Sequence, residues 1–429
     1  MQQETQFDLI VVGGGTAGAF SAIAAAREGL KVAVVERGTC LGGLAASSGL
    51  TEMNAAGFQG APLYRGIERE VFDRLIWGGH AAYHFAVPMS SNKEVKIDRL
   101  RYDPERLKLL LEQLAVEAGM PPEELVERYR LAALAAWFAD GGMEALVLAR
   151  GPYQEIALSG KYLIDATGNA SLVQALGGET EAADERERMI ATLMFRISNV
   201  DLDQLDAFIH SPRLGETIRQ GRESGVLKGG ILAFTPIPGT RDVSLNVTRA
   251  KFDHEDLADA TRGMVELRSQ IEPIFRFVQR EVPGLEGAYL SGIAPLAGVR
   301  DARRIRGAYQ LTIEDLERMT CFEDRVACGC YPMDLHDPVT NTVVWKMLPG
   351  VYHIPYRSLL PLGMKRTLAA GKCLSADPKA FGAVRVMPIM MNVGESAGYA
   401  AALALRENKT LDQISSASLR SCLDQKYGV

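Results

Sequence analysis

Cysteine is sparse in this sequence. Six residues, Cys40, Cys321, Cys328, Cys330, Cys373 and Cys422, are spread through 429 positions, which excludes a disulfide scaffold and points to reduced thiols in a cytoplasmic protein. No run of about 18 apolar residues occurs, so no membrane span is expected. The first residues, "MQQETQ", are polar, and no secretory signal is expected where a charged segment and an apolar one do not fit. A basic excess is also missing: 47 Lys and Arg stand against 53 Asp and Glu, a net charge of −6. Nucleic acid as a partner needs the opposite balance. There is no internal repeat, no low-complexity segment and no Cys-x-x-Cys cluster suited to an iron–sulfur centre.

What remains is an ordinary globular composition, 47% hydrophobic and 23% charged, with length enough for two lobes and a large core. "FDLIVV" (7–12) is a short run, apolar but for Asp8, as expected of a buried parallel strand. "GGGTAG" follows, then the Ala-rich "AFSAIAAAREG", then a second buried strand, "KVAVVE", ending at Glu36. Strand, Gly-x-Gly-x-x-Gly, helix, strand and terminal acid together make a dinucleotide-binding unit. Gly13 allows the tight turn, Gly15 lets backbone approach a pyrophosphate, and Gly18 lets helix and strand pack closely. The N–H groups at Thr16 and Ala17 open the helix toward the phosphates. Glu36 is expected to accept from ribose hydroxyls and to repel a 2'-phosphate.

The start of the chain does not decide between FAD and NAD; later segments do. "KYLIDATGNASL" reads as a strand running into Ala166, Thr167 and Gly168. "RTLAAGKCLSA" is another strand-turn, and "RVMPIMMNVGESAGYAAALAL" is an apolar helix with Gly394 and Gly398 four apart. With "LGGLA", "YDPERLKLLL", "GVRDARRIRGAYQLT", "GCYPMDLHD" and "IPYRSLLP", these segments span nearly the whole chain. In this order they resemble the FAD-dependent oxidoreductase family of the two-dinucleotide-binding-fold flavoproteins, relatives of fumarate reductase and glutathione reductase in their FAD domain.

The resemblance implies an α/β fold: a discontinuous Rossmann-like FAD-binding domain, residues 1–180 and 350–429, with an inserted α+β substrate domain of mixed sheet, residues 181–349. It implies extended FAD held by Gly13, Gly15, Thr16, Ala17, Gly18, Glu36 and Arg37, by Gly42, Gly43 and Leu44, and by Ala166, Thr167 and Gly168. Gly371, Asn392 and Gly394 complete that set, the last helix presenting its N-terminus to the flavin ring with the dipole end at Gly394. "LGGLAASSG" has no histidine for covalent attachment, so FAD is expected to be noncovalent. Two departures stand out: Asn169 where the family commonly has Asp, and Lys372 where it commonly has Arg. A second Gly-x-Gly-x-x-Gly after a strand is absent, which argues against a dedicated NAD(P)H domain and hence against a monooxygenase.

The activity implied is a dehydrogenase or oxidase moving hydride between a small organic substrate and FAD, with an unidentified electron acceptor or donor. An FAD-binding electron-transfer subunit of a larger complex is the alternative, and self-association into a homo-oligomer stays open. His336 is a candidate base, acid or hydrogen-bond donor at the substrate, or else an ordinary hydrogen-bonded histidine. Tyr356, Arg357 and Arg385 are candidates for substrate or flavin contact; each arginine reads otherwise as a salt bridge. Arg300, Arg303, Arg304 and Arg306 suit a strand with alternating arginines, some solvating an edge, with the alternative that one faces the flavin or an anionic substrate. Cys328, Cys330, Asp334 and His336 lie close enough in sequence to suggest a metal site, yet no second ligand pair is evident and no metal is expected. Cys40 in "ERGTCLGG" has no second cysteine five residues on, so it reads as a packed thiol. His80 and His84, beside Gly78-Gly79, read as loop residues of the substrate lobe.

Overall fold

The computed structural model describes residues 5–89, 92–120, 133–138, 145–150, 155–185, 188–336 and 343–427. Its central sheet contains β1 (Thr5–Val12), β2 (Val32–Val35), β3 (Ala133–Phe138), β4 (Ala145–Arg150), β5 (Glu155–Asp165) and β6 (Thr367–Ala369). The order is β2-β1-β5-β4-β3, with β6 beside the C-terminal end of β5. β2, β1, β5 and β6 run parallel, while β4 and β3 form an antiparallel extension. Gly141-Gly142, which the sequence alone reads as a turn between two strands, lies outside the described residues.

β1 is apolar on both faces because both are covered. Leu9 and Val11 join the main core, whereas Phe7, Ile10 and Val12 pack with Leu163 and Leu172 behind the sheet. Helix α1 (Thr16–Arg27) and the long helix α2 (Met387–Glu407) cross in the main core. A Cβ at Gly394 would lie 2.1 Å from the Ala17 carbonyl oxygen, and one at Gly398 would lie 2.3 Å from that of Ser21. The Ser21 hydroxyl donates to the Gly394 carbonyl at 2.8 Å. Only glycine permits this approach, which is why an Ala-rich helix meets a Gly-x-x-x-Gly face.

The inserted lobe has its own core beneath a four-stranded antiparallel sheet, in the order Ala233–Pro236, Val243–Asn246, Phe195–Ser198, Tyr289–Ile293. Its amphipathic run divides into helices Leu257–Ser269 and Ile271–Glu281. At the junction, the Gln270 amide is tied to the Arg249 backbone, donating to its carbonyl at 2.8 Å and accepting from its N–H at 2.9 Å.

A second antiparallel sheet lies within residues 52–102, and it takes His84 out of the expected loop and into strand Ala81–Met89, opposite Arg99. The following helix, Pro104–Glu117, has the expected cap: Asp103 accepts from the Glu105 N–H at 2.9 Å. Strands Arg325–Gly329 and Tyr352–Pro355 pair across the proposed boundary at residue 350.

Candidate cofactor and active site

Three separate turns meet at the start of α1. Gly13, at φ +99°, donates its N–H to the Val35 carbonyl at 2.7 Å, and a Cβ there would come within 2.4 Å of the Ala166 carbonyl oxygen. At Gly18 a Cβ would sit 1.7 Å from the Gly13 carbonyl oxygen. Gly15 differs: the nearest atom to its Cβ position is the Ala166 oxygen at 4.0 Å, leaving open space above the loop. Thr16 donates to the Gly42 carbonyl at 3.3 Å, and Gly42 donates to that of Gly14 at 2.9 Å. The second glycine loop is thereby fastened to the first, with the Gly43 Cβ position 2.8 Å from Gly15 Cα and the one-turn helix Leu44–Ser47 beyond.

From the other side, Ala166 donates its N–H to the Val12 carbonyl at 2.8 Å. Thr167 is anchored to Asp165 through its N–H at 3.0 Å and its hydroxyl at 2.7 Å. The Gly168 Cβ position is 3.3 Å from the Lys372 side chain, and that of Gly371 is 3.3 Å from Ala17 Cβ. Both oxygens of Glu36 brace the loop, accepting from the N–H groups of Gly14 and Gly38 at 2.6 Å each. The sequence suggests only the ribose as its partner; each oxygen retains a second lone pair for such a bond. Arg37 is exposed beside it. Open space over Gly15, free N–H groups at the helix start and an acid at the end of β2 suit the pyrophosphate and ribose of a dinucleotide.

The model of a family described as FAD dependent oxidoreductase matches residues 8–423. The chain belongs to that family. No curated protein matches it in sequence. Among solved structures, it resembles a flavin-dependent brominase at 13% identity, over 98% of this chain and 83% of the other, with a TM-score of 0.50. It also resembles aklavinone-11 hydroxylase, solved with FAD and aklavinone, at 15% identity, over 94% and 64%, with a TM-score of 0.50. A geranylgeranyl bacteriochlorophyll reductase-like protein from Thermoplasma acidophilum aligns at 13% identity, over 99% and 85%, with a TM-score of 0.49. At these identities the likeness is one of fold. In this FAD-dependent oxidoreductase the meeting of the three turns is the candidate cofactor cradle.

Several predicted site residues of this flavoprotein are placed elsewhere. Tyr356 is buried, and its hydroxyl donates to the Leu411 carbonyl at 3.0 Å; it is a core residue. Arg357 grips Asp324 at 2.9 and 3.3 Å, half exposed and stacked over Tyr309. The short 3-10 turn Tyr356–Leu359 breaks the strand's alternation, turning Tyr356 into the core and Arg357 onto Asp324. Gly394 lies two turns inside α2 and serves the contact with α1; the dipole end is at Met387. Asn392 donates to Glu68 and to the Pro388 carbonyl, so its amide is used inside the core. Cys40 contacts the Ser47 hydroxyl at 3.4 Å and forms no disulfide.

The arginine run also disperses, because only Arg304–Ile305 is a strand. Arg304 is buried over Phe381, Arg303 pairs with Glu255, and Arg306 reaches Glu179 near solvent. The cysteine pair diverges in its contacts: Cys328 accepts from Arg65 at 3.1 Å, and Cys330 donates to the Gly57 carbonyl at 3.1 Å. Among the described residues no group of three metal-ligating side chains forms. His336 ends strand Met333–His336 opposite Val343; its side chain lies outside the described residues.

Arg385 fits the expectation better. It lies one residue before the N-cap of α2, and its guanidinium donates to the Asp334 carboxylate at 3.2 Å. Its buried Nε has no hydrogen-bond partner. Asp334 also accepts from the Tyr331 hydroxyl at 3.1 Å. Lys372 donates to the carbonyls of Val299 and Asp301 at 3.0 and 2.7 Å, and burial pushes its pKa down to about 8. Asn169 joins the lobes, donating to Glu255 at 2.8 Å and accepting from the Arg303 N–H at 2.7 Å. That double role explains the departure, since an aspartate would turn a second carboxylate toward Glu255.

Sequence reasoning missed the buried carboxyl pair beside α2. Glu395 accepts the Ile67 N–H at 3.1 Å, and burial pushes its pKa up to about 8. Burial also raises Glu68, whose Oε1 has no partner. Their signal was an isolated acid in each of two apolar helical faces, "GIEREVF" and "NVGESAG".

Proposed function

We propose that the enzyme catalyses hydride exchange between a small organic substrate and noncovalently bound FAD. The observation that supports this reading best is Arg385, a part-buried cation paired with Asp334 whose buried Nε has no partner, set just before α2. The resemblance to FAD-dependent oxidoreductases implies a flavin ring near that helix start. When bound, FAD supplies the two-electron chemistry. The turns around Gly13, Gly43, Ala166 and Gly371 hold and orient it, and the α2 N-terminus with Arg385 favours negative charge at that end of the site. Lys372, held by two carbonyls of the inserted lobe, keeps that lobe closed over the FAD domain. His336, two residues along the strand from Asp334, is the proposed proton-handling group.

Anaerobic incubation of purified, FAD-loaded protein with fractionated metabolite pools is expected to bleach the visible flavin band. A protein that retains FAD but is reduced by no small molecule, only by a redox partner protein, would instead be an electron-transfer subunit. His336→Gln should slow reduction by the active fraction at least tenfold while leaving FAD content unchanged.

A further inference from the structure

Thr192, in the inserted lobe, is buried, and its hydroxyl oxygen accepts from two guanidiniums: Arg249 at 3.0 Å and Arg300 at 3.2 Å. A hydroxyl has two lone pairs and one proton. With both lone pairs turned toward cations, the Thr192 proton is the group left to donate. Neither arginine has an ion-pair partner among the described residues. Arg249 is otherwise bonded to Asn246 Oδ1 at 3.1 Å and the Thr248 carbonyl at 2.8 Å, and Arg300 to the Ile190 carbonyl. Burial and then like charge lower the pKa of each arginine, and each stays cationic at neutral pH. Arg249 falls to about 9 with Arg300 beside it, and Arg300 to about 10 with Arg385 beside it.

The surrounding acids do not redress this. Arg300, Arg385 and Lys372 share two carboxylates, Asp301 and Asp334, while Arg249 faces only the like charge of Arg300. Asp301 accepts the Met189 N–H at 2.8 Å, and Asp334 is taken by Arg385 and Tyr331. A buried Arg249 and a part-buried Arg300, neither in an ion pair among the described residues, are expensive to maintain, and they converge on a hydroxyl with a proton to give.

We propose that Arg249, Arg300 and Thr192 bind a small oxyanion, the carboxylate or phosphate group of the substrate, at the junction between the inserted lobe and the start of α2. This deepens the oxidoreductase reading and rests on it. The guanidiniums supply planar, permanently charged donors, and Thr192 supplies a third. An oxyanion held there fixes one end of the substrate while the remainder extends toward the Arg385 side, so specificity resides in the inserted lobe and cofactor binding in the FAD domain.

The test uses FAD-loaded, full-length protein at constant ionic strength, titrated with acetate, methylphosphonate and neutral acetamide. Flavin absorption and melting temperature are read together. A saturable response to acetate alone assigns a carboxylate, and one to methylphosphonate alone a phosphate; acetamide should give none. Arg249→Gln and Arg300→Gln should weaken the responding anion at least tenfold with FAD content unchanged. Should either fail to fold, Arg249→Lys, which keeps charge but loses the planar fork, must still weaken binding several-fold.

An equal response to acetamide, no response to either anion, or unchanged affinity in the variants overturns the proposal. Loss of FAD from folded variants also overturns it, because the arginines would then serve the cofactor. A protein that holds no FAD and cannot be reconstituted would refute the oxidoreductase reading instead. The melting-temperature titration would still decide whether the arginine pair takes an oxyanion.

Discussion

Gly394→Ala separates two effects of opposite sign. Inside a helix, replacing glycine by alanine is favourable by about 1 kcal/mol on propensity alone. Here the new methyl would lie 2.1 Å from the Ala17 carbonyl oxygen and 2.7 Å from Ala17 C and Cα, all of them backbone atoms that cannot rotate aside. α1 and α2 must move apart. Overpacking of this kind costs about 1–3 kcal/mol, and losing the Ser21 hydroxyl bond to the Gly394 carbonyl costs about 1 kcal/mol more. The balance is a net loss of roughly 1–3 kcal/mol from those terms. Because Ala17 is in the first turn of α1, FAD should also bind several-fold more weakly. Urea denaturation and FAD titration measure both effects, with Gly215→Ala as the control. Gly215 is an exposed helical glycine whose Cβ position has nothing within 4 Å, and its replacement should stabilise by up to about 1 kcal/mol. A Gly394→Ala protein as stable as Gly215→Ala, with unaltered FAD affinity, would refute the reasoning.

Glu36→Gln replaces one acceptor with a donor facing the N–H of Gly14 or Gly38, and should weaken FAD about tenfold, roughly 1.4 kcal/mol, by fluorescence titration. Asn169→Asp restores the residue common in the family but sets two carboxylates together; a loss of about 1–3 kcal/mol is expected in urea denaturation. Glu395 binds a proton more tightly folded, at about 8, than unfolded, near the usual carboxylate value. Its contribution is therefore full below the unfolded pKa and declines as pH rises toward 8, by up to about 1.4 kcal/mol per pH unit. Glu395→Gln should flatten the fall in melting temperature between pH 5 and 8; an unchanged slope would assign that fall to another group.

The cofactor half of the molecule was largely legible. A strand, a glycine turn and a helix constrain one another locally, so Gly13, Gly18 and the Asp103 cap could be read from adjacent residues. The opposite half depended on direction rather than identity. "YHIPYRSLLP" reads as one extended crossover, but its 3-10 turn rotates Tyr356 into the core and Arg357 onto Asp324. Gly394 was noticed for its position in a terminal helix, yet its reason is a helix 373 residues earlier that no local pattern reveals. Arg249 and Thr192 were passed over because each interrupts an apolar strand-like run; a charged residue there deserves suspicion when nothing nearby in sequence neutralises it.

The crossing of α1 and α2 also bears on how the enzyme is made. The dinucleotide turn leaves the ribosome well before the glycines at 371, 394 and 398 that pack on Ala17 and Ser21. Until they arrive, α1 has an uncovered apolar side and the β5 edge lacks β6. Cofactor loading must therefore wait until helix α2 has emerged, and a nascent chain stalled before residue 387 would present an open, aggregation-prone half-site to the chaperones.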